Sequence, residues 1–197
     1  MTHRCTLFIA RACTTAMSLF VMAWPASSSE FQLKYEIASP PSCTNNSGEK
    51  VFFRNIDNGR AKSAAGMAKR DETGTPIVYR FAYQSSPKPL QQFIDLHECA
   101  HHQTGDVDLP HPPRNSPEHM MNESIADCIA TLRIRDEING GEDVAIQAVE
   151  QLMQDMIKIG FPAVTMESRE ANILNCLQKN KSADAFIDGV LRHRKLK

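Results

Sequence analysis

The stretch LHECAHH, residues 96–102, decides both the fold and the function expected of this chain, because it contains the pattern H-E-x-x-H. It lies in a segment with helical periodicity, residues 90–104, which has proline near its start and glycine directly after its end. On a helix, His97 and His101 are one turn apart and project from nearly the same face. The pattern therefore predicts two imidazoles that share one metal ion.

The residue between these histidines indicates what such a metal would do. Zinc is bound by histidine nitrogens at about 2.0–2.1 Å, and it lowers the pKa of a bound water toward about 7. Glu98 directly follows the first histidine, so it would lie beside the metal and accept the proton of that water. We therefore expect one Zn²⁺, with Glu98 as the general base and acid of a hydrolytic reaction.

A third protein ligand has to come from another part of the chain. The metzincin pattern requires a glycine and then a ligand after the second histidine, but Thr104 and Val107 occupy those two positions. The next predicted helix contains N-E-S-I-A-D, in which Glu123 and Asp127 share one face. Glu123 would complete a His₂Glu site that leaves the fourth position for water. Asp127 would accept a hydrogen bond from the non-ligating nitrogen of His97.

H-E-x-x-H, followed after 21 residues by E-x-x-x-D, resembles the gluzincin metallopeptidases, in particular their thermolysin-like and HtpX-like members. The resemblance covers residues 90–135. A weaker similarity reaches Pro162 and Arg169, with Phe161 where the HtpX-like enzymes have histidine. The resemblance implies a zincin-like fold, a peptide or protein substrate, and the same roles for the residues named above. It also implies that a strand near Ile77–Tyr83 forms the edge of the cleft, where a peptide could add as a further strand.

Peptide hydrolysis also needs a hydrogen-bond donor for the oxyanion of the tetrahedral intermediate. The sequence does not single out this donor. The candidates are His111, His119, Arg114, Tyr79, Tyr83 and Arg169.

The rest of the chain predicts an α+β, zincin-like domain in which a small N-terminal β-sheet precedes a helical half. Residues 29–86 are rich in loops and contain strand-like runs at 51–53 and 77–83. Residues 87–197 have helical periodicity, and they place H-E-x-x-H and E-x-x-x-D on adjacent helices. The predicted helices are 90–104, 116–138, 142–159, 168–178 and 182–194.

Residues 1–28 have the pattern of a secretory signal peptide. Two arginines precede a 13-residue apolar run, residues 12–24, which is followed by proline and small residues. The run is shorter than the roughly 20 residues that a membrane-spanning helix needs. Cleavage after Ser28 would leave residues 29–197 as an exported, periplasmic or secreted domain without a stable membrane span. An uncleaved signal anchor is the alternative.

Four cysteines follow the predicted cleavage site: Cys43, Cys99, Cys128 and Cys176. An even number in an exported protein predicts two disulfides, and four cysteines allow three connectivities. If the two ligand-bearing helices press against one zinc, a Cys99–Cys128 bridge would join them and leave Cys43–Cys176 as the second pair. Four buried free thiols are the alternative.

The composition is that of an ordinary globular domain, with 42% hydrophobic and 23% charged residues. The formal net charge of −1 argues against a nucleic-acid-binding protein, which normally has a clear basic excess. The H-E-x-x-H pattern, the signal-peptide pattern and the resemblance to the gluzincins together lead us to expect an exported zinc-dependent metallopeptidase. The alternatives are a non-catalytic zinc-binding accessory or regulatory protein with the same fold, and a hydrolase of another amide bond. The sequence does not indicate the oligomeric state.

Overall fold

The structure is a computed structural model that describes residues 35–56, 63–137 and 141–197. The predicted signal peptide, residues 1–28, lies outside these ranges. The described residues group into one compact unit. Among the described residues, no helix combines the length and the apolar character that crossing a bilayer requires.

The architecture is α+β, as predicted: a small three-stranded mixed sheet precedes five helices in the described part of the chain. Short 3₁₀ turns follow the third strand and the first helix. The strands are β1 Phe52–Ile56, β2 Ala65–Arg70 and β3 Pro76–Phe81. The helices are α1 Lys88–Gln103, α2 Pro117–Glu137, α3 Gly141–Lys158, α4 Ala163–Lys179 and α5 Ala183–His193.

Strand β3 is the central strand, parallel to β1 and antiparallel to β2. Its sequence, PIVYRF, is mostly buried and rich in β-branched and aromatic residues, as expected for a strand with neighbours on both sides. The expectation that a strand near Ile77–Tyr83 forms the edge of the cleft is therefore wrong. The strand beside the site is β2, whose sequence AGMAKR has none of the β-branched or aromatic residues that mark a strand.

Helix α1 is the centre of the fold, because it packs against β2 and β3 on one side and against α2 and α3 on the other. Phe93 and Leu96 are buried in the core that α1 shares with α2 and α3. The helix ends where the Thr104 hydroxyl donates to the Ala100 carbonyl, 2.9 Å away. Gly105 follows with φ +76°, a left-handed conformation that glycine adopts without steric cost.

A buried ion pair fixes α1 against the sheet. The side chains of Arg80 in β3 and Asp95 in α1 are 3% and 0% exposed. Arg80 donates to both carboxylate oxygens of Asp95, over 2.9 and 2.5 Å, and the Tyr83 hydroxyl donates to the same carboxylate over 2.8 Å. Asp95 thus faces the sheet, and His97, two residues further along the helix, faces α2.

Two disulfides join Cys43 to Cys99 and Cys128 to Cys176, with Cα–Cα distances of 6.0 and 5.7 Å. The predicted pairs, Cys99–Cys128 and Cys43–Cys176, are therefore wrong. Cys99 does point away from the metal side of α1, but the side of the helix that carries Cys99 packs against Val78 of β3 and against Cys43 in the segment before β1. Cys128 lies on the side of α2 that packs against α4 and α5.

Removal of either disulfide is expected to lower the free energy of unfolding by about 2–4 kcal/mol, since each closes a long loop that restricts the unfolded chain. The two bridges span 56 and 48 residues. Urea unfolding of the Cys43→Ala/Cys99→Ala and Cys128→Ala/Cys176→Ala variants measures this loss. Peptide mapping without reductant should recover the same two pairs. A peptide that links Cys99 to Cys128 would contradict the observed connectivity.

Candidate metal centre

Three ligand-type side chains meet between α1 and α2. They are His97 and His101, one turn apart on α1, and Glu123 on α2. The Nε2 atoms of the two histidines are 3.2 Å apart. Oε2 of Glu123 lies 3.4 Å from Nε2 of His97, and Oε1 of Glu123 lies 3.6 Å from Nε2 of His101. These three residues can therefore hold one metal ion.

The spacing of the two histidine nitrogens fits a tetrahedral ion. Ligand atoms about 2.0–2.1 Å from zinc, at tetrahedral angles, are about 3.3 Å from one another. The two Nε2 atoms, 3.2 Å apart, lie close to that value, and the Glu123 carboxylate places one oxygen 3.4 Å from His97 Nε2 and its other oxygen 3.6 Å from His101 Nε2. Two imidazole nitrogens and one carboxylate oxygen are also a donor set that zinc commonly takes. The donors and their spacing thus fit the ion that the sequence leads us to expect.

Each histidine is oriented by a carboxylate at its other ring nitrogen. Nδ1 of His97 lies 2.8 Å from Asp127 Oδ1, and Nδ1 of His101 lies 3.0 Å from Asp106 Oδ2. When Nδ1–H donates a hydrogen bond to the carboxylate, the lone pair of Nε2 points toward the shared site. The structure thus places Asp127 behind His97, where the sequence puts it. Asp106 is a second such residue, and sequence analysis missed it because residues 106–115 resemble a plain loop.

Two arginines from the C-terminal helices bind these carboxylates. Arg169 of α4 donates to both oxygens of Asp127, over 2.6 and 2.7 Å. Arg194, at the end of α5, donates to Asp106 and, over 2.7 Å, to Asn122 on α2. Arg169 therefore supports Asp127. This contact engages the guanidinium of Arg169, so the position of Arg169 is explained without a role as oxyanion donor. Arg194 lies in the basic run RHRKLK, residues 192–197.

The charges in the site act strongly on one another. Burial by itself would lower the pKa of His97, but hydrogen bonds to Asp127 and Glu123 and the nearby carboxylate charges raise it to about 10. Burial would raise the pKa of Glu123, but the hydrogen bond and charge of His97, with His101 and Arg169, lower it to about 2. Despite its burial, Asp127 has a lowered pKa because Arg169 and His97 stabilise its charge. In the metal-free protein, the positive charge of protonated His97 thus offsets negative charge on the neighbouring carboxylates.

Glu98 lies beside the three ligand residues and belongs to a different set of contacts. Its Oε2 accepts a hydrogen bond of 2.7 Å from the backbone N–H of Ala68 in β2. The Glu98 carboxylate is therefore not one of the metal ligands, but it faces the same cavity as His97 and His101. This is the arrangement that a general base next to a metal requires.

A cavity of about 410 Å³ opens over the ligand residues and Glu98. It brings two of the candidate oxyanion donors to the site, His111 and His119. Nε2 of His119 lies 3.9 Å from Glu123 Oε1. The other lining residues include Gly66, Ala68, Val107 and Pro112.

The remaining oxyanion candidates lie elsewhere. Tyr79 points to the opposite face of the sheet, where Lys69 and Arg54 lie over its ring at 4.9 and 5.9 Å from the centroid. Tyr83 is buried, and its hydroxyl donates a hydrogen bond to Asp95. Arg114 is exposed and is not among the residues that line the cavity. None of these three side chains therefore lies among the residues that line the cavity.

Removal of a carboxylate that supports a histidine is expected to weaken zinc binding about 10–100-fold, because that histidine loses its fixed tautomer and orientation. Asp106→Ala and Asp127→Ala should each show this loss in a titration against a competing chelator. Asp108→Ala is the matched control, since Asp108 lies in the same turn as Asp106 and pairs with Arg70 on the surface. Unchanged zinc affinity in Asp106→Ala would show that Asp106 does not support His101.

Zinc affinity is expected to rise about tenfold per pH unit between pH 6.5 and pH 9. The pKa of His97 is about 10 in the metal-free protein, so the ion has to displace one proton over that whole range. Protons therefore compete with the metal, and the apparent affinity falls as the pH falls. Titration at several pH values against a chelator of known pH dependence measures the slope. A flat profile would contradict the raised pKa of His97.

Comparison of the chain with protein-family models, with curated proteins and with solved structures finds no match.

Proposed function

We propose that this chain is an exported zinc metallopeptidase of the gluzincin type, with a zincin-like fold, that hydrolyses peptide bonds. The observation that carries the proposal is the pair of histidine Nε2 atoms 3.2 Å apart, which lie 3.4 and 3.6 Å from the two oxygens of Glu123, with Glu98 lining the same cavity. Catalytic zinc sites use three protein ligands, as His97, His101 and Glu123 would provide here, whereas structural sites are closed by four.

Each residue of the site has a separate task in this reaction. His97, His101 and Glu123 hold the ion, and Asp127 and Asp106 keep the two imidazoles oriented. When bound, the zinc ion supplies a Lewis acid that lowers the pKa of water and polarises the scissile carbonyl. Glu98 takes the proton of the attacking water on its carboxylate and delivers it to the nitrogen of the leaving amine.

His119 is the candidate that best suits the oxyanion. Its Nε2 atom faces the ligand Glu123, and its Nδ1 atom is buried without a hydrogen-bond partner among the described residues. A buried N–H without a partner is costly, so the ring proton is favoured on Nε2, at the cavity. His119 can then donate a hydrogen bond to a substrate oxygen next to the metal.

Export is part of the same proposal. Two disulfides are typical of proteins that fold in an oxidising compartment, and they fit the signal-peptide pattern of residues 1–28. Expression in a host with a secretory pathway, followed by N-terminal sequencing of the exported protein, tests this part. The mature chain should begin at Ser29.

The activity is tested by measuring metal content and peptide cleavage on the same preparation. About one zinc per chain is expected, with cleavage of a broad peptide library that stops on addition of a chelator and returns with zinc. Bound zinc without cleavage would favour the alternative, a non-catalytic accessory or regulatory protein. Absence of zinc binding would overturn both.

A further inference from the structure

Strand β2 approaches Glu98 so closely that one of its residues has to be glycine. A Cβ atom added to Gly66 would lie 2.3 Å from Cγ of Glu98 and 2.9 Å from Cδ. Real Cβ atoms essentially never approach another heavy atom so closely, so an alanine here has to displace the Glu98 side chain. The φ angle of Gly66 is not in the positive range that favours glycine. The close approach, and not the backbone conformation, therefore requires this glycine.

The same strand also provides a hydrogen bond to the carboxylate. Ala68 lies opposite Val78 in the antiparallel pairing of β2 with β3. Its N–H points away from that ladder and donates to Oε2 of Glu98 over 2.7 Å. Such a bond to a charged acceptor is stronger and more directional than one between neutral groups. Glu98 is thus confined on one side by Gly66 and held at its oxygen by Ala68.

We propose that β2 is the positioning element of the general base: Gly66 leaves the room that the Glu98 side chain occupies, and the Ala68 amide aims its carboxylate. This inference rests on the proposed function, because it gives β2 a role in the reaction that Glu98 performs. It makes Gly66 a positioning residue, which acts through Glu98 and does not itself bind the metal or the substrate.

The first test is Gly66→Ala in the zinc-loaded protein. We expect kcat to fall about 100-fold, since a displacement of about 1 Å at a reacting group can have that effect. Zinc affinity should stay within a factor of two of wild type, because the three atoms nearest to a Cβ at position 66 all belong to Glu98, which is not one of the residues that can hold the ion. The matched control is Gly189→Ala in α5, where an added Cβ meets nothing within 4 Å. It should cleave at the wild-type rate.

A double-mutant cycle separates positioning from general damage. In the Glu98→Gln background the base is already lost, so Gly66→Ala should change the remaining rate less than twofold. If Gly66→Ala lowers kcat equally in both backgrounds, it acts independently of Glu98 and the proposal is overturned. Cleavage by Gly66→Ala at the wild-type rate would overturn it as well.

Unfolding of the metal-free protein gives a readout that does not depend on activity. Gly66→Ala should lower Tm when Glu98 is present, and much of that loss should disappear in the Glu98→Ala background, where the clashing side chain is gone. Additive changes in Tm would overturn the contact between Gly66 and Glu98. A wild-type protein that binds zinc and cleaves no peptide would overturn the proposed function and the catalytic role of β2, while coupling in Tm would still support the contact.

Discussion

Glu98→Gln is expected to keep zinc bound and to lower kcat by about 10²–10⁴-fold, which is the usual contribution of a general base. Glutamine has the size of glutamate but cannot take a proton from water at neutral pH. It can still accept the hydrogen bond from Ala68, so the side chain keeps its place. Parallel measurement of bound zinc and of peptide cleavage, on wild type and variant, gives both quantities.

A variant of a metal-ligand residue provides the contrast to Glu98→Gln. His101→Ala removes one of the three residues that can hold the ion, so it should lose both zinc and cleavage. Equal cleavage by wild type and Glu98→Gln would falsify the proposed mechanism. Loss of zinc from Glu98→Gln would instead mean that Glu98 itself binds the metal.

Asp95→Ala is expected to lower the free energy of unfolding by about 3–5 kcal/mol, because it leaves the guanidinium of Arg80 buried without its counter-charge. Both side chains are almost completely inaccessible to solvent, and Tyr83 also loses its hydrogen-bond acceptor. Urea unfolding of the metal-free protein measures this loss without any contribution from bound zinc.

Two further variants control this measurement. Lys88 is also on α1, and Lys88→Ala removes its exposed ion pair with Glu36. This variant should unfold at the wild-type urea concentration. The double variant Arg80→Met/Asp95→Leu replaces both charges by apolar groups, and it should regain much of the stability that Asp95→Ala loses. If Asp95→Ala unfolds like wild type, the ion pair does not hold α1 against the sheet.

The sequence alone predicted the parts of the site that depend on helix geometry. His97 and His101 share a face because they are four residues apart, and the same spacing relates Glu123 to Asp127. The periodicity of the chain also predicted α1 and α2, and the structure places Glu123 close to both histidines as expected. Backbone hydrogen bonds within a helix fix these relations, so no distant part of the chain is needed to establish them.

The tertiary structure alone decided which surfaces meet. It placed Asp106 and Arg194 behind His101, and it brought β2, which has a weak strand pattern, against Glu98. It also decided the disulfides, because the pairing of Cys99 depends on which element covers the far side of α1. The sequence predicts that Cys99 points away from the metal. The surface that packs against Cys99 on that side of α1 is formed by residues distant in the chain. Packing of the whole core determines such contacts, and no local spacing encodes them.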